Sequence, residues 1–236
     1  MNSAKTEFVI FGSRHHLSKC DINHLQVSDA AVERGNSFKY LGVWMDDHLS
    51  FKKHITAKCK VAMYNIQRIK HIREYLTQEA CAVLVSSLVL SHLDYANSLL
   101  FGLPDCDILR LQRVQNAAAK LILRKERRDS ATACLKELHW LPIRLRINHK
   151  ILTIIFKCLK GLAPKYLQNL INKKTPSRTG LRSENPHQLS EPRTLKKTFA
   201  ARSFSVAGPV IWNNLPDNVV QATDVNDFKQ KLNSFV

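Results

Sequence analysis

The sequence predicts a mainly helical protein that opens with a small β-hairpin, an α+β chain in which helices are the majority. β-branched and aromatic residues fill two short runs near the N-terminus, 7–12 and 38–45, and turn-prone residues lie between them, as in hairpins. From Phe51 onward, apolar residues recur at steps of three and four, the period of an amphipathic helix. Only 7 Gly and 8 Pro occur in 236 residues, so long regular elements are expected.

This spacing predicts six helices. The first begins near Phe51, and its inward face is expected to hold Ile55, Cys59, Ala62, Met63, Ile66 and Ile69. A second begins at the cap-like Thr77 and runs to about residue 100. The others are expected at 108–124, 131–138, 142–160 and 224–235, with Pro142 in the first turn of its helix. The helix at 108–124 is expected to bury Leu109, Leu111, Val114, Ala117, Ala118, Leu121 and Ile122.

Four segments are expected along the chain. Residues 1–50 hold the strands, 51–172 form a helical bundle, 173–198 form an irregular basic connector, and 199–236 form a short C-terminal helical segment. The connector is predicted because the apolar spacing gives way there to Thr, Ser, Pro, Arg, Asn and Gln. With 44% hydrophobic residues, the rest of the chain has enough apolar surface for a core.

The charge of the chain indicates a polyanionic partner. Its 36 Lys and Arg against 19 Asp and Glu give a formal net charge of +17, which favours nucleic acid over a merely basic surface. The six cysteines are scattered and no signal peptide opens the chain, so an intracellular location, nuclear or cytoplasmic, is expected. The longest apolar run, 83–90, is too short for a membrane span, and no membrane partner is expected. The oligomeric state stays open.

The first predicted helix carries most of the candidate binding residues. Lysines on an amphipathic helix can follow a phosphate backbone without reading base sequence. For any one of these residues a solvated basic face is an equal alternative, but less so for the cluster. The candidates are Lys52, Lys53, Lys58, Lys60, Arg68 and Lys70.

A series of short strings resembles one family in the same order. They are Tyr-Leu-Gly-Val at 40–43 followed by Asp46 and Leu-Ser-Phe at 49–51, Asp-Tyr-Ala-Asn at 94–97, Leu-Gln-Arg-Val-Gln-Asn-Ala-Ala at 111–118, Leu-His-Trp-Leu-Pro at 138–142, Ala-Pro-Lys-Tyr-Leu at 163–167, Leu-Arg-Ser at 181–183 and Trp-Asn-Asn-Leu-Pro at 212–216. Together they are similar to the C-terminal part of jockey-like non-LTR retrotransposon (LINE) reverse transcriptases: the end of the palm, the thumb and the following region. Each string alone is weakly specific.

The resemblance implies a role for each candidate. Lys5 falls in the tail of the palm, although a surface lysine that opens a strand is the favoured alternative. Tyr40, Leu41 and Gly42 resemble the hairpin that grips the primer strand, with an ordinary hairpin as the equal alternative. The basic helix resembles the first thumb helix, so the implied partners are RNA and DNA, held as RNA–DNA or RNA duplex without regard to sequence.

The resemblance implies that the full-length parent proteins are RNA-directed DNA polymerases that use magnesium. This chain alone is expected to be inactive and to need no cofactor. The resemblance places the catalytic carboxylates upstream of these motifs, so neither a catalytic nor a metal-binding residue is assigned. Trp-Met-Asp-Asp at 44–47 resembles the metal-binding turn, yet its position in the motif order argues against that role. The alternative to a polymerase fragment is a non-enzymatic retroelement relic or a helical interaction module.

Overall fold

The computed structural model describes residues 6–27, 30–174, 187–193 and 200–235. Within them the chain is mainly helical with two small antiparallel strand pairs near the N-terminus, which confirms the predicted fold class. It divides into two compact units, Met1–Leu93 with Asp105–Val114, and Asp94–Pro104 with Gln115–Val236. The four-segment division expected from the sequence stays a prediction. Among the described residues, none of the helices has the length and apolarity needed to cross a bilayer.

The strands pair locally. After the short helix α1 (Arg14–Leu17), β1 (His24–Val27) pairs with β2 (Ala30–Glu33), and β3 (Ser37–Tyr40) pairs with β4 (Val43–Asp46). The expected hairpin is therefore formed around 38–45, whereas the run at 7–12 forms no strand: Phe8 makes an isolated bridge to Arg34, and Gly12 donates to the carbonyl of Asp47 at 3.0 Å. Strands β3 and β4 can pair because Leu41 and Gly42 form a two-residue turn between them. The positive φ angles of these two residues match the twist of the adjacent strands.

Helix α2 (Lys52–His71) is the longest element of the first unit. Cys59 is only half-buried and Met63 is exposed, whereas the polar His54 and Asn65 are buried. Both polar side chains have a hydrogen-bond partner inside the protein. The His54 ring accepts the backbone N–H of Trp44 on β4, and the Asn65 amide donates to the carbonyl of Leu88. The expected inward residues that are buried are Ile55, Ala62, Ile66 and Ile69.

The second predicted helix ends earlier than expected. It comprises α3 (Gln78–Val85), a π-helical turn (Ser86–Leu90) and α4 (Ser91–Asp94), and a separate 3₁₀ turn (Asn97–Leu100) follows. Thr77 caps α3 as predicted, with its hydroxyl oxygen accepting from the N–H of Ala80 at 3.2 Å. The helix is interrupted before the 3₁₀ turn because Ala96 has a left-handed backbone conformation, with a φ of 55°, that cannot continue a right-handed helix.

Four of the remaining helices lie close to their predicted positions: α5 (Asp105–Ile122), α6 (Ala131–Glu137), α7 (Ile143–Leu159) and α11 (Val225–Phe235). Three short helices between α7 and α11 are not individually predicted: α8 (Lys165–Gln168), α9 (Phe204–Asn213) and α10 (Asp217–Val220). The division between the two units falls inside α5, after Val114. Pro142, Pro164 and Pro216 each immediately precede a helix, where the missing N–H of proline costs nothing.

Three aromatic rings form the centre of the second unit. Phe156 of α7 stacks on Phe228 of α11 with centroids 4.4 Å apart, and Trp212 of α9 lies 5.8 Å from Phe228. Asn213 donates to the carbonyl of Leu189 at 3.0 Å and accepts its N–H at 2.8 Å. This described piece of the predicted connector, 187–193, is therefore hydrogen-bonded to α9, whereas 175–186 and 194–199 lie outside the described residues.

Candidate nucleic-acid interface

The start of α2 is fixed by Asp46. Its two carboxylate oxygens accept the backbone N–H groups of Ser50 at 3.0 Å and Phe51 at 2.8 Å. Burial alone would raise the pKa of this carboxyl, but the hydrogen bonds from Ser50 and Phe51 outweigh it and lower the pKa. Leu49 and Phe51 both have positive φ, so the chain turns sharply from β4 into the helix. Asp46 therefore sets the direction in which α2 leaves the strands.

This arrangement does not fit the magnesium pair that the Trp-Met-Asp-Asp string resembles. Amide hydrogens point at both oxygens of Asp46, and the same positive ends of the N–H dipoles would face a cation placed there. Asp47 lies beside His48, with the carboxylate oxygen 3.8 Å from the imidazole nitrogen. In the described part of the chain, no group of three or more His, Cys, Asp or Glu could hold a metal ion.

Five of the six cations expected on α2 are exposed on the side of the helix away from the core. We call this set the basic face: Lys52, Lys53, Lys60, Arg68 and Lys70. No Asp or Glu occurs between residues 52 and 73, so no carboxylate of α2 itself neutralises them. Lys53 also donates to the hydroxyl of Ser37 on β3 at 2.9 Å, which links the face to the hairpin. The face offers positive charge at helical spacing over five turns.

Lys58 lies apart from the basic face. It is one turn from the buried His54 and one turn from the buried Ala62, and its side chain is half-buried. Burial and the nearby Lys39 cation lower the pKa of its ammonium. Burial and Lys58 also lower the pKa values of His54 and His92, that of His54 to about 4. The expected role of Lys58 in phosphate binding therefore has less geometric support than that of the other five.

Two aromatic rings accompany the cations, and the sequence reasoning missed both. The Lys53 ammonium lies 3.7 Å from the centroid of the Trp44 ring, and Lys39 lies 6.0 Å from it. Tyr64 is exposed on α2, with the guanidinium carbon of Arg68 5.8 Å from the ring centroid. For Tyr64, the sequence did contain a usable signal, because this aromatic residue lies four positions before Arg68 on the polar side of the helix.

The hairpin tip also presents candidate residues to solvent. Tyr40 and Leu41 are among the exposed large apolar side chains, and Leu41 and Gly42 both have positive φ, at 45° and 80°. A leucine in this conformation is strained, a cost of the kind that functional sites often carry. The tip is joined to α2 through β4, which packs on the helix. Lys5 lies outside the described residues.

A second set of cations belongs to the other unit. Arg124, Lys125, Arg127 and Arg128 are exposed in the loop that follows α5. The Lys120 ammonium donates to the carbonyl of Arg127 at 2.8 Å, which shapes this loop. Nearby, Trp140 packs against Ala119, Cys134 and Leu135, whereas the neighbouring His139 is exposed.

Chemically, the basic face and hairpin tip can neutralise phosphates and present apolar or aromatic surface to sugars and bases. Neither the cations nor the aromatic rings form a pattern specific to one base, since lysine contacts a phosphate as a point charge. This geometry is suited to binding a polyanion, and no reaction is assigned to it. No protein-family model matches the chain, and searches of curated proteins and of solved structures likewise gave no match.

Proposed function

We propose that this chain is the C-terminal part of a jockey-like non-LTR retrotransposon reverse transcriptase, from the end of the palm through the thumb and beyond. In this proposal it binds template–primer nucleic acid, RNA–DNA or RNA duplex, without regard to sequence. It acts inside the cell, in the nucleus or the cytoplasm, and by itself performs no polymerisation and needs no cofactor. The observation that carries the proposed binding is the basic face, five exposed cations on one helix without an intervening carboxylate, and the ordered series of short strings supports the proposed family.

The physical basis is counterion release. Each lysine or arginine that neutralises a phosphate frees a condensed cation, so affinity falls steeply as salt rises and changes little with base sequence. The hairpin tip lies on the same unit as the basic face, and its Tyr40, Leu41 and Gly42 offer apolar surface and close backbone approach to a sugar. Specificity for the template then comes from base pairing in the nucleic acid and not from this surface.

The test removes four charges from the basic face together, because each contributes little alone. Changing Lys52, Lys53, Lys60 and Lys70 to Gln should weaken binding of an RNA–DNA hybrid and flatten the salt slope by about three units, at roughly 0.7 to 0.9 per lost contact. Fluorescence anisotropy over a series of salt concentrations measures both quantities. Lys58 is left unchanged because its side chain is half-buried.

A control of equal charge separates local contacts from net charge. It changes four exposed lysines of the other unit to Gln, namely Lys136, Lys150, Lys157 and Lys165. This variant should keep a salt slope close to that of the parent protein, because none of its changed residues lies on α2. If the α2 variant binds as tightly as the parent, the basic face is only a solvated surface and the interaction-module alternative gains.

A further inference from the structure

Tyr64 is the one residue among the Phe, Tyr and Trp of the chain that lies on α2. It is 63% exposed, on the same side of the helix as the basic face. Lys60 lies one turn before it and Arg68 one turn after it, each step rising about 6 Å along the helix axis. The Arg68 guanidinium carbon is 5.8 Å from the ring centroid. The ring therefore stands between two cations along one strip of helix surface.

The structure of the protein itself gives little reason for a tyrosine at this position. The ring contributes nothing to the core, which α2 reaches through residues such as Ile55 and Ile66 on its other side. Tyrosine is a poorer helix former than the Lys, Arg and Gln residues around it. An exposed cation–π contact to Arg68 stabilises only weakly. The remaining property of the ring is an exposed π system between two cations that could each pair with a phosphate.

We propose that Tyr64 stacks on an unpaired nucleobase while Lys60 and Arg68 bind the phosphates on either side of it. The basic face then binds single-stranded RNA or DNA more tightly than a blunt duplex with the same number of phosphates. This inference rests on the proposed function, because it uses the same face, but it names a different form of nucleic acid as the preferred occupant.

The preference follows from which surfaces each form of nucleic acid exposes. In a blunt duplex the bases are stacked on one another, so a convex helix surface meets mainly phosphates and sugars. A single strand can turn one base outward, and its π face is available for a tyrosine ring. Stacking is tolerant of sequence because every base has such a face. The natural occupant is therefore a single-stranded stretch, such as a template overhang.

The test compares two substitutions at one position in the full chain. Tyr64→Leu removes the ring, and Tyr64→Phe keeps it without the hydroxyl group. Binding is measured by anisotropy for an unstructured 16-nucleotide strand and for an 8-base-pair blunt duplex, which carry similar numbers of phosphates. Tyr64→Leu should bind the single strand about 5- to 150-fold more weakly, the range for loss of one stacked base, and should bind the duplex unchanged. Tyr64→Phe should bind both as the parent does.

The outcomes separate this inference from the proposed function. Equal losses for strand and duplex in Tyr64→Leu, or no loss for either, overturn the stacking role while the parent protein still binds through the lysines. A parent that prefers the blunt duplex also overturns it. A parent that binds neither form overturns both proposals. Circular dichroism verifies that Tyr64→Leu is folded, as expected for an exposed position where leucine is the better helix former.

Discussion

His54 shows how a single buried side chain can make stability depend on pH. It is only 2% exposed, and its Nδ1 accepts the backbone N–H of Trp44 at 3.4 Å, which requires a neutral ring. Burial and the Lys58 cation lower its pKa from 6.5 to about 4. In the unfolded chain the ring has its ordinary pKa, so between pH 6.5 and 4 the unfolded state binds a proton that the folded state does not.

Lowering the pH therefore favours the unfolded state through His54. The contribution of His54 to stability is fully present above pH 6.5 and is lost as the pH falls toward about 4, a change of up to roughly 3 kcal/mol. We predict that His54→Gln flattens the dependence of unfolding free energy on pH in this window, measured by urea denaturation. His92 and His149, whose pKa values burial also lowers, remain in the variant and leave some slope. An unchanged slope would show that His54 titrates normally.

Single residues are also where sequence reasoning reached its limit. The three- and four-residue spacing located the inward face of α2, because apolar burial dominates helix orientation. The same spacing placed Lys58 among the exposed cations. Lys58 instead lies one turn from each of the buried residues His54 and Ala62, and near Lys39 of β3. Likewise the spacing could not identify Asp46 as the residue that fixes the helix start, since two left-handed residues separate it from α2. Both depend on how the strands pack on the helix.

At the scale of elements, α2 and the π-helical turn are joined by Asn65. Its side-chain amide donates to the carbonyl of Leu88 at 2.8 Å. A π-helical turn disturbs the regular bonding between backbone carbonyls and N–H groups, so a carbonyl there can take a partner from another helix. The apolar pattern predicts one uninterrupted helix over this region, because no Gly or Pro lies at the π turn or at the break near Ala96 to indicate either of them.

We predict that Asn65→Ala destabilises the protein by about 1 kcal/mol, because the buried Asn65 amide no longer donates its hydrogen bond to the carbonyl of Leu88. Urea denaturation of the variant and the parent gives the difference in unfolding free energy. Gln67→Ala is the matched control, since Gln67 lies on the exposed side of the same helix and its change should stay within about 0.5 kcal/mol. A loss no larger than that of the control would mean that the hydrogen bond contributes nothing net.

At the scale of the whole molecule, the fold class followed from composition and periodicity, but the division into units did not. Helix α5 has one apolar face along its length, and nothing in its sequence marks the boundary after Val114. The buried residues of α5 also differ from expectation. Leu109 is exposed, and Ala117 and Leu121 are only half-buried. The polar Gln115 is buried, with its amide donating to the carbonyl of Leu141 at 2.9 Å. Contacts distant in sequence decide these differences.

The last prediction concerns the activity of the whole chain. Purified protein should incorporate no nucleotide in a primer-extension assay with template and magnesium. Asp46, the first carboxylate of the string that resembles a metal-binding turn, already accepts two backbone N–H groups, and releasing it to bind a metal would remove the fixed start of α2. Asp46→Asn and Asp47→Asn serve as the control variants. Incorporation by the parent that disappears in both would contradict the structural role given to Asp46 and would make this turn a catalytic site.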